Sequence, residues 1–156
     1  MSDAVTGLQR SRGFTLLEVL AVIVVIALAT TLIATTISGG LGQARVRAAA
    51  KDLVAALRYT RSQAVVKGQS QVLTLDVEKR AYRAPGRDWV ELPQDMRLTM
   101  LTAAQEQVGE GVGRIRFFPD GASTGGHVKL IRGETEWQIN VGWLTGEVRL
   151  VTGAAH

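Results

Sequence analysis

No cysteine occurs anywhere in the 156-residue chain. That excludes a disulfide framework, thiolate metal sites and a thiol nucleophile. Histidine is nearly as scarce: His127 and His156 are the only two, and their separation does not fit a metal site. Aromatic residues make up 5% of the chain, too few for a base-stacking platform. The net charge of +4 permits contact with anionic lipid or nucleic acid but argues for neither. The acidic residues are scattered singly, with no recognisable calcium loop. Asp120, Ser123 and His127 are close in sequence, but they sit among turn residues with no nucleophile-elbow pattern. The run Gln105–Gly113 contains G-E-G-V-G, yet it lacks a Walker lysine and precedes a strand-like segment, so a flexible loop is expected there. The expectation is therefore no enzyme, no cofactor and no metal.

What the chain does have is one concentrated apolar stretch. The overall hydrophobic fraction of 46% is ordinary, but much of it falls in the first 40 residues. From Arg10 to Ile37 the chain reads RSRGFTLLEVLAVIVVIALATTLIATTI, and residues 19–44 carry no charge. As a helix those residues would extend about 39 Å, where a bilayer core needs about 20 residues. Ser38, Gly39, Gly40 and Gly42 are expected to loosen the end of that helix. A lone carboxylate, Glu18, stands near its head. On insertion scales a carboxylate at mid-span costs about 2.5–3.5 kcal/mol, less near a helix start, where the helix dipole helps.

The residues are compatible with three kinds of segment. A secretory signal peptide would use Arg10 and Arg12 as its basic region and Ala27-Leu28-Ala29 as its cleavage site. The apolar residues beyond that point, Leu32, Ile33, Ala34 and Ile37, fit it poorly. A plain anchor leaves Glu18 unexplained. In the third, Gly13-Phe14-Thr15-Leu16-Leu17-Glu18 resembles the class III signal of type IV pilins and of the pseudopilins of type II secretion. The resemblance implies that a prepilin peptidase/methyltransferase cuts between Gly13 and Phe14 and methylates the new N-terminus. It makes Glu18 the fifth residue of the mature chain, with an assembly role opposite a neighbouring subunit's ammonium.

Downstream, Val46, Ala49, Ala50, Leu53, Leu57, Thr60 and Ala64 recur at helical spacing, with Arg47, Lys51, Arg58 and Ser62 on another face. One long helix is expected from about Phe14 to Lys67, capped by Gly68. From Gln69 the period becomes two. Strands are expected at 72–77, 80–83, 89–92, 114–118, 127–132, 135–141 and 144–151, with 98–101 ambiguous and the tail from Thr152 loose. The stretch F-F-P-D-G-A-S-T-G-G, from Phe117, resembles one shared by minor pseudopilins of the H type and minor pilins of the FimT/FimU type.

These resemblances imply an α+β, pilin-like fold: a long N-terminal helix, its first half transmembrane, packed on an antiparallel β-rich domain. The expected divisions are a leader at 1–13, a membrane and filament-core half-helix at 14–42, and a periplasmic domain at 43–156. The implied function is that of a minor pseudopilin in a type II secretion pseudopilus, with a minor type IV pilin as the alternative. Expected partners are other minor pseudopilins, the major pseudopilin, the processing peptidase and the inner membrane, with nucleic acid not expected. One feature runs against this orientation. Arg45, Arg47, Lys51, Arg58 and Arg61 outnumber Arg10 and Arg12, so the positive-inside rule alone would put the C-terminal side in the cytoplasm.

Overall fold

The computed structural model describes residues 15–107 and 111–155, excepting the side chains of 30–39. The chain divides into two units, 1–39 and 40–156. The first contributes the start of a single helix, α1 (Leu16–Lys67). Its described side chains, from Leu16 to Ala29, are all exposed. Among the described residues no helix is long and apolar enough to cross a membrane. The uncharged run behind the expected span continues through 30–39, whose side chains lie outside the description.

The second unit holds the rest of α1 and two antiparallel sheets. Strands β1 (Gln71–Asp76), β2 (Ala81–Arg83), β3 (Val90–Glu91) and β5 (Val112–Phe117) form one, in the order β3-β2-β1-β5. Strands β4 (Arg97–Thr102), β6 (Gly126–Arg132), β7 (Thr135–Val141) and β8 (Val148–Ala154) form the other, in the order β4-β6-β7-β8. A short 3-10 turn, Ala104–Glu106, precedes β5.

The core follows from the two periodicities. Val46, Ala50, Leu53, Leu57, Thr60 and Ala64 are fully buried on one side of α1. They meet Leu73 and Leu75 of β1, Ile115 and Phe117 of β5, Val128 and Leu130 of β6, and Trp137 and Ile139 of β7. Alternate residues of β5, β6 and β7 face that core, as a pleated sheet with one wet face requires. Thr60 donates its hydroxyl to Ala56 O at 2.8 Å, which satisfies its only buried polar atom. The helix ends in a Schellman motif. Gly68 adopts φ 61, and the amides of Gly68 and Gln69 return to Val65 O and Ala64 O.

The single long helix expected as far as Lys67 is present, and it runs through Ser38, Gly39, Gly40 and Gly42 without a break, because glycine's penalty is about 1 kcal/mol, too small to end a long helix. Three expectations need correction. The ambiguous 98–101 segment is a strand, β4, paired with β6 along its whole length. The run from Gln105 is not all loop: it contains the end of the 3-10 turn and the first two residues of β5. The C-terminal tail is not loose either. Thr152, Gly153 and Ala154 pair with Trp137, Glu136 and Thr135.

Candidate functional site

The helix start is built as a cap. Thr15 lies just before α1, and its Oγ1 accepts a hydrogen bond from the Glu18 amide at 3.3 Å. Thr15 O accepts from the amides of Glu18 and Val19. Thr-Leu-Leu-Glu thus has the S/T-x-x-E form of a capping box, and Glu18 sits in the first turn where the helix dipole favours an anion. That local role was legible in the sequence as T-x-x-E. Gly13 and Phe14, where cleavage and methylation are expected, lie outside the described residues. Beyond Glu18, the side chains of Leu20, Ile23, Ile26 and Leu28 are each more than half exposed.

The basic residues of α1 separate into two groups. Arg58 Nη2 donates to Val148 O at 3.1 Å, and Arg61 Nε donates to Gly121 O at 3.0 Å. Both tie the helix to the β-domain. Arg45, Arg47 and Lys51 are exposed.

Arg61 meets the Phe117-to-Gly126 stretch, which proves to be a structural junction. It carries the chain from β5 in one sheet to β6 in the other. The Asp120 carboxylate accepts from the Ala122 amide at 3.0 Å, an Asx turn, and Gly121 takes φ 87. Buried Ser123 donates its hydroxyl to Gly142 O at 2.9 Å and accepts from the Gly125 amide at 3.0 Å. Its own amide donates to Trp143 O at 2.8 Å. A Cβ on Gly146 would collide with Gly121 O, so the β7–β8 turn and this loop are in contact. Strand β5, the loop, the last turns of α1 and the β7–β8 turn thus converge on one point. Asp120 and Ser123 are engaged with backbone groups, while His127 pairs with Leu101 and Asn140 within its sheet. The three are not assembled as a triad.

A second cluster was not anticipated. Glu106 is 4% exposed and receives Arg116 Nε at 2.7 Å, while Arg114 Nε lies 3.3 Å from its other oxygen. The latter approach forms an ion pair but no hydrogen bond, leaving Arg114 Nε unsatisfied. The Arg-x-Arg alternation was visible in the sequence. The acid ten residues before Arg116 was not an obvious partner. On the opposite sheet, the Glu147 carboxylate is held below its ordinary range by its hydrogen bonds to Arg149, whose guanidinium is raised in turn.

A helix leading into paired antiparallel sheets is the arrangement of pilin-like proteins, and solved structures agree. The minor pseudopilin EpsH from the type 2 secretion system of Vibrio cholerae aligns with TM-score 0.55 at 14% identity, over 69% of this chain and 96% of that one. The type IV minor pilin FimU of Pseudomonas aeruginosa aligns with TM-score 0.54 at 16% identity, over 74% and 96%. Those likenesses establish the fold. Sequence is more specific. The family described as type II transport protein GspH matches residues 49–145, and the prokaryotic N-terminal methylation motif matches 8–34. The type II secretion system protein H of Xanthomonas campestris pv. campestris is 44% identical over 141 residues, covering 90% of this chain and 83% of that protein. The chain belongs to the GspH family of type II transport proteins, the H-type minor pseudopilins.

Proposed function

We propose that this minor pseudopilin is made with a leader of residues 1–13, is cut between Gly13 and Phe14, and is methylated on Phe14. The half-helix from Phe14 to about Gly42 then anchors the chain in the inner membrane, with the β-domain in the periplasm. On assembly the helix leaves lipid and packs against the helices of other minor pseudopilins and the major pseudopilin. Glu18 meets the N-terminal ammonium of a neighbour and sets the register, a use of buried ionic groups attested elsewhere. The assembled filament helps move folded proteins across the outer membrane. The subunit's role is structural, and the chemistry at its N-terminus belongs to the processing enzyme.

The observation that carries this reading is the exposed apolar start of α1 directly behind a capped carboxylate. Such a surface needs lipid or other helices around it. The positive-inside conflict is eased by Arg58 and Arg61, whose guanidiniums are engaged with the β-domain. The fold is common to secretion and pilus subunits, and the sequence relative favours secretion.

The test is the intact mass and N-terminal sequence of the protein recovered from membranes. The expected product begins at methylated Phe14. A product beginning at Thr30 would mean signal-peptide cleavage, and an uncut chain beginning at Met1 would mean a plain anchor. Either overturns the proposal.

A further inference from the structure

The outer face of the β3-β2-β1-β5 sheet carries a cross-strand row of unusual charge. Thr74 of β1 lies opposite Arg83 of β2 on one side and Arg114 of β5 on the other. The two arginines therefore stand about 10 Å apart across two strand spacings. Arg87, from the turn after β2, joins them. All three line a shallow cavity of about 410 Å³ whose other walls include Val72, Thr74 and Pro85. No acidic residue lines it; Asp88 and Glu91, near in sequence, are not among its walls.

Two of the guanidiniums are pre-ordered. Arg83 lies 5.0 Å over the Trp89 ring, and Arg87 lies 5.0 Å over the Tyr59 ring. Stacking holds the face of each guanidinium and leaves its edge N–H groups free to meet an acceptor. Neither arginine forms an ion pair among the described residues. Arg114 is only partly neutralised: it shares one carboxylate, Glu106, with the better-aligned Arg116, and its buried Nε has no hydrogen-bond acceptor. Two cations without an ion pair and a third that shares its carboxylate repel one another across the sheet, so the arrangement is one that a bound anion would relieve.

We infer that this cavity is a docking site for the carboxylates of an acidic protein segment. The recognising groups are arginine forks on a sheet face, suited to planar carboxylates. No helix N-terminus and no lysine, both common parts of a phosphate site, line the cavity. The choice of a protein segment as the source of the anion rests on the assembly reading above, which surrounds this domain with other subunits. The anion site itself does not depend on that reading.

The test is a calorimetric titration of the full chain in neutral detergent with a tetraglutamate peptide. Tetraglutamine, inorganic phosphate and a short DNA duplex serve as competing probes. Arg83→Gln and Arg87→Gln are the informative variants, because neither residue touches Glu106 and both are exposed. Tetraglutamate is expected to bind, to weaken as salt rises, and to lose about tenfold in Kd with each substitution, the worth of one charge-assisted hydrogen bond. Failure of tetraglutamate to bind, or binding equal in the double variant, overturns the site. Tighter binding of phosphate or of the duplex, lost in the same double variant, overturns the protein segment as its occupant. A mature N-terminus other than Phe14 would sink the assembly reading and leave this titration unaffected.

Discussion

The two ends of α1 are both rich in aliphatic residues, yet they solve different problems. From Leu16 to Leu28 the apolar side chains point all round and are exposed. From Val46 to Ala64 they fall on one stripe, and that stripe is buried against both sheets. A stripe is completed by the chain's own fold. An all-round apolar surface has to be completed by something outside it. The same helix therefore contains a folding element and, on the function proposed above, an assembly element, told apart by the angular spread of hydrophobicity and not by its amount.

The strongest way to test that division is to shorten one leucine at each end. Leu57 is fully buried among the core residues, so Leu57→Ala is expected to destabilise the domain by about 2–5 kcal/mol, as cavity-forming core substitutions do. Leu20, 62% exposed, should show no such effect when changed to Ala. Thermal unfolding of the full chain in detergent, followed by near-ultraviolet circular dichroism of the β-domain, reads both. A Leu20→Ala variant as unstable as Leu57→Ala would erase the distinction.

The two carboxylates at issue sharpen it. Glu106 is buried and serves Arg114 and Arg116. Glu106→Ala leaves both cations unneutralised, though both are about a third exposed, so the expected loss is about 1–3 kcal/mol of domain stability. Glu18 is exposed, and its described hydrogen bonds are local to the cap. Glu18→Ala should leave the domain's stability within about 0.5 kcal/mol while abolishing assembly and secretion. Domain unfolding of Glu18→Ala beside a secretion assay in cells separates the two. Normal secretion by a well-folded Glu18→Ala variant would count against the register role.

Ser123 gives a smaller effect, confined to the folding end. Its hydroxyl is buried and holds the β5–β6 loop to Gly142 O. Ser123→Ala leaves that carbonyl with the Gly146 amide as its donor and takes the acceptor from the Gly125 amide, and is expected to cost about 1–2 kcal/mol. Equilibrium urea unfolding measures it. An unchanged midpoint would mean that water replaces the hydroxyl, and that Ser123 does not hold the loop.

How much of this could be read beforehand follows the same split. The buried stripe of α1 was legible because seven positions at helical spacing require one partner face, and the strands from Gln71 to Asp76 and from Thr135 to Val141 were legible through alternation. The end of β8 was not. Gly153 and Ala154 have little strand preference of their own, and the end of the strand is ordered by pairing with β7. Likewise, the meeting of Arg114 and Arg116 with Glu106 depends on how a 3-10 turn folds over β5, which spacing alone does not specify. Of the site, the Gly13-Phe14-Glu18 order and the T-x-x-E pattern stand in the sequence itself, while the hydrogen bond from the Glu18 amide to Thr15 Oγ1 needed geometry to become visible.

The finest test concerns Asp52, the one acid on α1 between Arg45 and Lys67. The Tyr82 hydroxyl on β2 is raised above its ordinary range, first by burial and then by the negative charge of Asp52. In the unfolded chain that tyrosine ionises near its usual value of about 10. Between that value and the higher folded one, the unfolded state holds fewer protons, so stability falls as pH rises. Below pH of about 10 both states keep the proton and Tyr82 contributes no slope. Melting temperatures of the wild-type chain should therefore decline more steeply from pH 9.5 to 11, values chosen to bracket about 10, than those of Tyr82→Phe. Asp52→Asn should reduce the slope without removing it, because burial is the larger cause. Since Asp52 lies on the half of the helix assigned to folding, a matching substitution at the other end, Glu18→Gln, should leave the slope as it was. A Glu18→Gln variant that flattened it would show the two ends of α1 to be electrostatically coupled.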